Sequence, residues 1–246
     1  VQLALVVLDA CRDDPFARDD TRGAAKLGGL APIQPDKGIF VIYSAGVGEK
    51  ALDRLGPGDP DPNSVFTRKF MPILETPGLP LVDIAKRTGA KVVAIVELAN
   101  ELQEDGVENV SDPNIGGTVE FGNVSVRLTP AWHTSTTPKG TVNTPAGLVI
   151  TVGDTSVYHL GDTALFSDLA LVKARDQIDV ALMCIGGHYT MDPIDAVAAA
   201  QLVGASQVIP CHYTTFPPIE TDAEAFKNDV KGSEVVILDP GQTHSL

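Results

Sequence analysis

The chain has 246 residues, of which 43% are hydrophobic, and its formal net charge is −14 at pH 7. This length and apolar content suffice for one large or two small globular domains, and no apolar run approaches the ~18–20 residues that a membrane-spanning helix needs. The negative charge argues against nucleic acid as a partner, because phosphate contacts require clustered Lys and Arg. Three cysteines without paired spacing argue against a disulfide framework, so we expect a cytoplasmic protein.

The first part of the chain predicts two buried strands followed by two helices. Leu3–Leu8 and Ile39–Tyr43 are continuous apolar runs, which are typical of strands buried on both faces. The segment between them is rich in Asp, Gly and Pro and predicts a loop. Ser64 is a candidate N-cap for a helix over Val65–Glu75, and Leu81–Arg87 predicts a second helix.

From Gly89 onward, strands alternate with amphipathic helices, a pattern typical of α/β layers. Alternating apolar and polar residues around Gly-Asn and Gly-Asp pairs predict two β-hairpins, over Thr118–Leu128 and Gly147–Leu160. The other predicted elements are, in chain order, strand Val92–Val96, helix Leu98–Glu104, helix Leu165–Lys173, strand Val180–Ile185, helix Pro193–Val203, strand Gln207–Cys211, helix Ala223–Val230 and strand Val235–Leu238.

Three candidate metal ligands, His133, Asp162 and His212, each follow a predicted strand. Strand ends at one edge of a sheet converge in space, so residues far apart in sequence can share a site there. Neutral imidazole and carboxylate are suitable zinc ligands, and a carboxylate can bridge two cations. Taken singly, each residue also fits a hydrogen-bonded structural role.

The segments around these residues resemble, in order, the lactonase-like, metal-dependent hydrolase branch of the metallo-β-lactamase superfamily. They are Asn114–Phe121 (NIGGTVEF), Thr129–Ser135 (TPAWHTS), His159–Thr163 (HLGDT), Ile185–Met191 (IGGHYTM) and Ile209–Tyr213 (IPCHY). The resemblance covers about residues 89–246.

In that family, His133 would bind the first metal, Asp162 would bridge two metals, His212 would bind the second metal and His188 would lie near the substrate. The implied cofactor is zinc or another divalent metal, and the implied reaction is hydrolysis of a small ester, lactone or phosphoester by metal-activated water. The family also carries an H-x-H-x-D-H motif, which is absent from this sequence, where His133 is the first of five His. We therefore expect a weak or partial metal site and impaired activity.

Cys11 lies at the end of the first predicted strand and could be a nucleophile or a small buried residue. The segments Asp9–Phe16 (DACRDDPF), Gly29–Pro32, Tyr43–Gly46 and Asn63–Thr67 resemble bacterial caspase-like (metacaspase-type) cysteine peptidases over about residues 1–86. The resemblance implies that Cys11 is the nucleophile. The catalytic His of that family precedes the Cys, whereas no His precedes His133 here, so peptidase activity is not expected.

Together the two resemblances predict an α/β chain of composite origin. A partial caspase-like α/β segment would span residues 1–88, and the C-terminal half of a metallo-β-lactamase-like domain, a β-sheet with flanking helices, would span residues 89–246. The charge is uneven in the same way: 11 Lys and Arg against 12 Asp and Glu before residue 89, but 7 against 20 after it, by count along the sequence. The preferred hypothesis is a hydrolase-derived protein with a small-molecule substrate. The alternatives are a cysteine peptidase fragment acting through Cys11, and a catalytically silent composite or scaffold that folds only as a homo-oligomer or with a complementing fragment.

Overall fold

The structure of the chain is a computed structural model, and it describes residues 4–8, 39–43, 81–89, 91–239 and 242–244. The main division between compact units falls between Asp112 and Pro113, and each unit is described by itself below. This division concerns contacts within the fold. The predicted join near residue 88 concerns the origin of the two parts and stays a prediction.

Within the described residues, the unit that ends at Asp112 contains a four-stranded mixed sheet and two helices. Its strands, in sheet order, are β1 (Ala4–Leu8), β2 (Ile39–Tyr43), β3 (Lys91–Val93) and β4 (Val110–Ser111), and its helices are α1 (Leu81–Thr88) and α2 (Val96–Glu104). β2 runs parallel to β1 and antiparallel to β3. The predicted strands at β1 and β2 and the predicted helix at α1 are confirmed. The predicted helix Val65–Glu75 and the candidate nucleophile Cys11 lie outside the described residues.

The second unit is built on a seven-stranded sheet in the order β13-β12-β11-β10-β9-β6-β5. Its strands are β5 (Thr118–Phe121), β6 (Val124–Pro130), β9 (Ala146–Val152), β10 (Thr155–His159), β11 (Val180–Cys184), β12 (Gln207–Cys211) and β13 (Glu234–Val235). A separate two-stranded ribbon joins β7 (Ser135–Thr136) to β8 (Val142–Asn143). The helices are α3 (Leu169–Arg175), α4 (Pro193–Val203) and α5 (Ala223–Asp229), with a 3₁₀ turn at Pro217–Ile219.

Both predicted hairpins are confirmed. β5 pairs with β6, and β9 pairs with β10, each in antiparallel register across a two-residue turn. Alternate residues of β6 face the core, because Val124, Val126 and Leu128 are buried whereas Ser125 and Arg127 are partly exposed. This period of two is the reason that the sequence pattern identified the strand.

Helix α4 has the predicted bounds because both of its ends carry local signals. The Asp192 side chain accepts a hydrogen bond from the Asp195 N–H, Pro193 occupies the first turn, and Gly204 ends the helix with a φ of 60°. A side-chain acceptor before the helix and a left-handed Gly after it satisfy backbone groups that the helix itself leaves unpaired.

Several predicted bounds are wrong. The predicted strand Val92–Val96 is shorter, at Lys91–Val93, and Val96 is the first residue of helix α2. Helix α3 begins at Leu169 instead of Leu165: at its start the N–H groups of Leu169, Ala170 and Leu171 each donate to the carbonyl three residues earlier, so the chain forms turns there before the helix begins. The last strand, β13, is Glu234–Val235 instead of Val235–Leu238, and it pairs with the first two residues of β12.

The core of the second unit lies between this sheet and the three helices. Its largest fully buried side chains include Tyr158, Leu160, Leu169, Met183 and Phe226. Among the described residues, no helix has the length and apolar character to cross a membrane.

Candidate metal centre

The candidate site lies along one edge of the seven-stranded sheet. β10, β11 and β12 are parallel neighbours, and β6 has the same direction because β6 and β10 each run antiparallel to β9. The carboxyl ends of these four strands therefore lie at the same edge. The segments that follow them carry His133, Asp162, His188 and His212, so the predicted convergence of strand ends agrees with the topology.

Asp162 and His212 are the two candidate ligands that the structure brings together. His212 Nε2 lies 3.7 Å from Asp162 Oδ1, and the two side chains are 30% and 19% exposed. This separation is longer than a hydrogen bond, which joins such atoms at about 2.7–3.2 Å. The other ring nitrogen of His212, Nδ1, is buried without a hydrogen-bond partner among the described residues. The His212 ring therefore lacks, on its Nδ1 side, the anchoring hydrogen bond that structural and metal-binding histidines both usually make.

The backbone is unusual at two of the predicted site residues. Among the described residues other than glycine, only His188, His212 and Thr214 have a positive φ, of 55° to 56°. Such left-handed conformations are uncommon for residues with a Cβ, and they concentrate at functional sites. Each of these residues follows a strand end, where the chain turns sharply to leave the sheet.

Gly186 is what allows the His212 backbone to approach so closely. A Cβ placed on Gly186 would lie 2.3 Å from the His212 carbonyl oxygen and 2.9 Å from Ile219 Cβ. Only glycine fits at that position without displacing the end of β12.

His133 is exposed, in the turn that follows β6. Its Nδ1 lies 2.7 Å from the carbonyl oxygen of Thr134. Because a carbonyl only accepts, this contact requires a proton on Nδ1, and in the neutral ring Nε2 then carries the lone pair. That is the tautomer that a histidine uses to bind a metal through Nε2.

The described part of the chain contains no group of three or more His, Cys, Asp and Glu side chains arranged to hold a metal ion. The structure thus brings Asp162 and His212 together, and it places His133 at the same edge but outside a three-ligand group with them. His188 is exposed and packs edge-to-face against Tyr189, with ring centroids 4.4 Å apart.

Three other side chains near this edge have structural roles. His159 Nδ1 accepts a hydrogen bond from the Gly161 N–H at 3.0 Å, and burial lowers the pKa of His159, which keeps the ring neutral. Cys184 and Cys211 lie opposite each other on β11 and β12. Burial raises the pKa of Cys211 to about 12 and also raises the pKa of Cys184, so both are thiols at neutral pH.

Sequence reasoning missed Thr163 and Gly186, although both lie in quoted segments. Thr163 is 1% exposed, and its hydroxyl binds the backbone of the His133 turn. It also missed an exposed aromatic pair beside the site, Tyr189 and Phe216, whose ring centroids are 6.1 Å apart. The available signal was position: each of these residues lies within four residues of a predicted site residue.

Comparison with known proteins identifies the family. A model described as a beta-lactamase superfamily domain matches residues 70–213, more than half of the chain. The chain belongs to the metallo-β-lactamase superfamily. A protein named as a metal-dependent hydrolase from Methanopyrus kandleri is 44% identical over 171 residues, which cover 66% of this chain and 74% of that protein. One of the same description from Shouchella clausii is 43% identical over 171 residues, which cover 67% of this chain and 75% of that protein.

A solved structure supports the same assignment. A metallo hydrolase from Ignicoccus hospitalis aligns with a TM-score of 0.60 at 35% identity, covering 66% of this chain and 71% of that chain. The superfamily match begins at residue 70, so helix α1 falls inside the matched region and before the predicted join. These comparisons give no support to a caspase-like segment or to a composite origin.

Proposed function

We propose that this chain is a metal-dependent hydrolase that binds zinc or another divalent cation through His133, Asp162 and His212 and cleaves a small ester, lactone or phosphoester. The observation that carries the proposal is the pair formed by Asp162 and His212 at the sheet edge, with His212 Nε2 3.7 Å from Asp162 Oδ1. The names of the relatives in Methanopyrus kandleri and Shouchella clausii support the same reaction class.

The pair fits a shared cation better than a direct hydrogen bond. Two ligands that each lie about 2.1 Å from one ion in tetrahedral geometry are separated by about 3.4 Å. The separation of 3.7 Å is close to that value and too long for a hydrogen bond. A half-buried imidazole beside a carboxylate is also a donor set that zinc accepts.

A bound divalent cation would supply the Lewis acidity that generates hydroxide from water near neutral pH. The residues of the chain then have separate tasks. Asp162 and His212 would hold the cation from the ends of β10 and β12, and His133 would approach from the turn after β6 through Nε2. His188 and Tyr189 are exposed on the loop between β11 and α4, and we propose that His188 contacts the substrate there.

The affinity for metal is expected to be low for these 246 residues alone. A catalytic zinc site usually has three protein ligands, and the pair described above accounts for two. The third, His133, is exposed, so its side chain has to reorient toward the pair while the backbone of the turn stays in place, and ordering that side chain opposes binding. The H-x-H-x-D-H motif that the superfamily uses for further ligands is absent from this sequence.

The test is the metal content of the purified chain, measured by elemental mass spectrometry after zinc addition and dialysis. The H133A and H212A variants remove one ligand each, and H244A is the matched control, because His244 contacts Gln207 at the start of β12 and thus away from the site edge. With zinc kept in the dialysis buffer, we expect weak binding that saturates at high zinc concentration in the wild type and in H244A, and a loss of more than about 100-fold in affinity in both ligand variants, since removing even an outer partner of a ligand costs about 10–100-fold.

Turnover of ester and lactone substrates should follow the metal. Activity that appears with zinc in the wild type and disappears in H212A would support the proposal. A wild-type chain without bound metal, or variants that bind zinc as tightly as the wild type, would refute it and favour the silent scaffold.

A further inference from the structure

We propose that Thr163 is a positioning residue whose hydroxyl holds the turn containing Trp132 and His133 against the turn containing Asp162. It would keep His133 and Asp162 at a fixed separation, although their strands, β6 and β10, are separated in the sheet by β9. The inference rests on the proposed function in that it takes His133 and Asp162 as metal ligands.

The contacts form a closed arrangement between the two turns. Thr163 Oγ1 accepts a hydrogen bond from the Trp132 N–H at 2.9 Å and donates one to the Ala164 carbonyl oxygen at 2.9 Å. The Ala164 N–H in turn donates to the Trp132 carbonyl oxygen at 3.0 Å. Both backbone groups of Trp132, the residue before His133, are therefore bound to the segment that directly follows Asp162.

Thr163 also connects a third segment of the site. Its carbonyl oxygen accepts a hydrogen bond from the Met191 N–H at 3.0 Å, and the Met191 carbonyl accepts one from the Gly187 N–H at 2.9 Å. The loop that carries His188 is thereby closed on itself and bound to the same residue. A single side chain and its peptide group thus join the segments of His133, Asp162 and His188.

The chemistry of these contacts requires a hydroxyl. The side chain accepts from one backbone N–H and donates to one backbone carbonyl at the same time, which only a hydroxyl does in so small a volume. It is also 1% exposed, so water does not readily replace either bond. Valine has the shape of threonine but neither function, whereas serine keeps both functions and lacks only the methyl group.

The turn that contains Trp132 and His133 has few other anchors, so removing the Thr163 hydroxyl should affect this turn in particular. His133 is exposed, and its ring contacts the carbonyl of the adjacent Thr134. When the Thr163 hydroxyl is removed, the bond from Ala164 to Trp132 remains. The turn should then loosen at its N–H side, with the Asp162 strand and the core unchanged.

The chain offers a direct probe, because Trp132 is its single tryptophan and its side chain is 66% exposed. T163V, T163S and the wild type are compared by hydrogen exchange at the Trp132 amide, by tryptophan fluorescence anisotropy and by zinc titration. T129V is the matched control: Thr129 is also 1% exposed and donates a side-chain hydrogen bond, to Tyr158 Oη at 3.2 Å within the sheet, without joining the turns.

We expect the Trp132 amide of T163V to exchange at least about 10-fold faster, its anisotropy to fall, and its zinc affinity to fall by about 10–100-fold, as for other residues that orient a ligand. T163S should restore all three values, and T129V should leave them unchanged. If T163V does not fold, T163A provides the same comparison without the need to accommodate the second methyl group of valine.

The outcomes separate this inference from the proposed function. Unchanged exchange and anisotropy in T163V refute the positioning role, whatever the metal does. Faster exchange with unchanged zinc affinity shows that the hydroxyl holds the turn without positioning a ligand, and it also refutes the inference. A wild-type chain that binds no zinc refutes the proposed function first, and with it any role of Thr163 in metal binding, while the exchange data still report on the turn.

Discussion

Gly186 lies so close to the His212 backbone that replacing it with alanine should lower both the stability of the fold and the affinity for zinc. The new Cβ would lie 2.3 Å from the His212 carbonyl oxygen, whereas ordinary van der Waals contact begins at 3.4 Å. The carbonyl, or the loop that bears Gly186, therefore has to retreat by about 1.1 Å, the difference between these two distances. The second contact, 2.9 Å to Ile219 Cβ, blocks the simplest escape because Ile219 is fully buried.

Two consequences follow for G186A. Overpacking of this kind costs about 1–3 kcal/mol, and a backbone clash should fall in the upper part of that range, at about 2–3 kcal/mol. For a chain of this size, that lowers the melting temperature by about 4–12 °C. The His212 ring moves with its backbone, and because a displacement of about 1 Å is large at a catalytic site, zinc affinity should fall at least about 10-fold.

The assay is thermal unfolding followed by circular dichroism, together with zinc titration of the folded protein. G153A is the matched control: its φ is +58° and nothing lies within 4 Å of the added Cβ, so it suffers backbone strain of about 1 kcal/mol without a clash. Its turn joins β9 to β10 at the edge of the sheet opposite the site, so zinc binding should not change. A G186A protein with the melting temperature and zinc affinity of the wild type would show that the close approach places no constraint on His212.

Two further predictions concern stability. D222A should lower the free energy of unfolding by about 1 kcal/mol, because Asp222 accepts hydrogen bonds from two N–H groups at the start of α5. D168A should change it by less than about 0.5 kcal/mol, since Asp168 at the start of α3 makes no such cap bond. Urea titration of both variants tests this, and equal effects would contradict it. Burial raises the pKa of Tyr158 to about 12 from 10.0, so the unfolded chain ionises first, and the stabilisation is complete below pH 10 and is lost as the pH rises from 10 to 12. The stability lost over this pH range is about 2–3 kcal/mol. In urea titrations between pH 9 and 12, the free energy of unfolding of Y158F should therefore fall by that much less than the wild type's. An identical pH dependence in the two proteins would contradict the raised pKa of Tyr158.

The sequence by itself determined the elements whose signals are local. The hairpin of β5 and β6 is marked by alternating residues around a Gly-Asn pair, and α4 is marked by Asp192, Pro193 and Gly204, so a few adjacent residues contain all the information. The order of strands and helices also predicted that the candidate ligands follow strands. The start of α3 was mispredicted by four residues, and no local pattern shows that the neighbouring Ala164 N–H bonds to Trp132, 32 positions away.

Only the tertiary structure decided which candidate residues meet. Asp162 and His212 are 50 positions apart in sequence, and their 3.7 Å separation depends on the parallel register of β10, β11 and β12 and on the absence of a side chain at Gly186. The contact of Thr163 with the His133 turn is of the same kind, because its hydroxyl meets the Trp132 N–H only when β6 and β10 take their places in one sheet. Residue type and spacing along the chain indicate which chemistry is available, but distances between loops are set by strand spacing and by hydrogen bonds between residues remote in sequence.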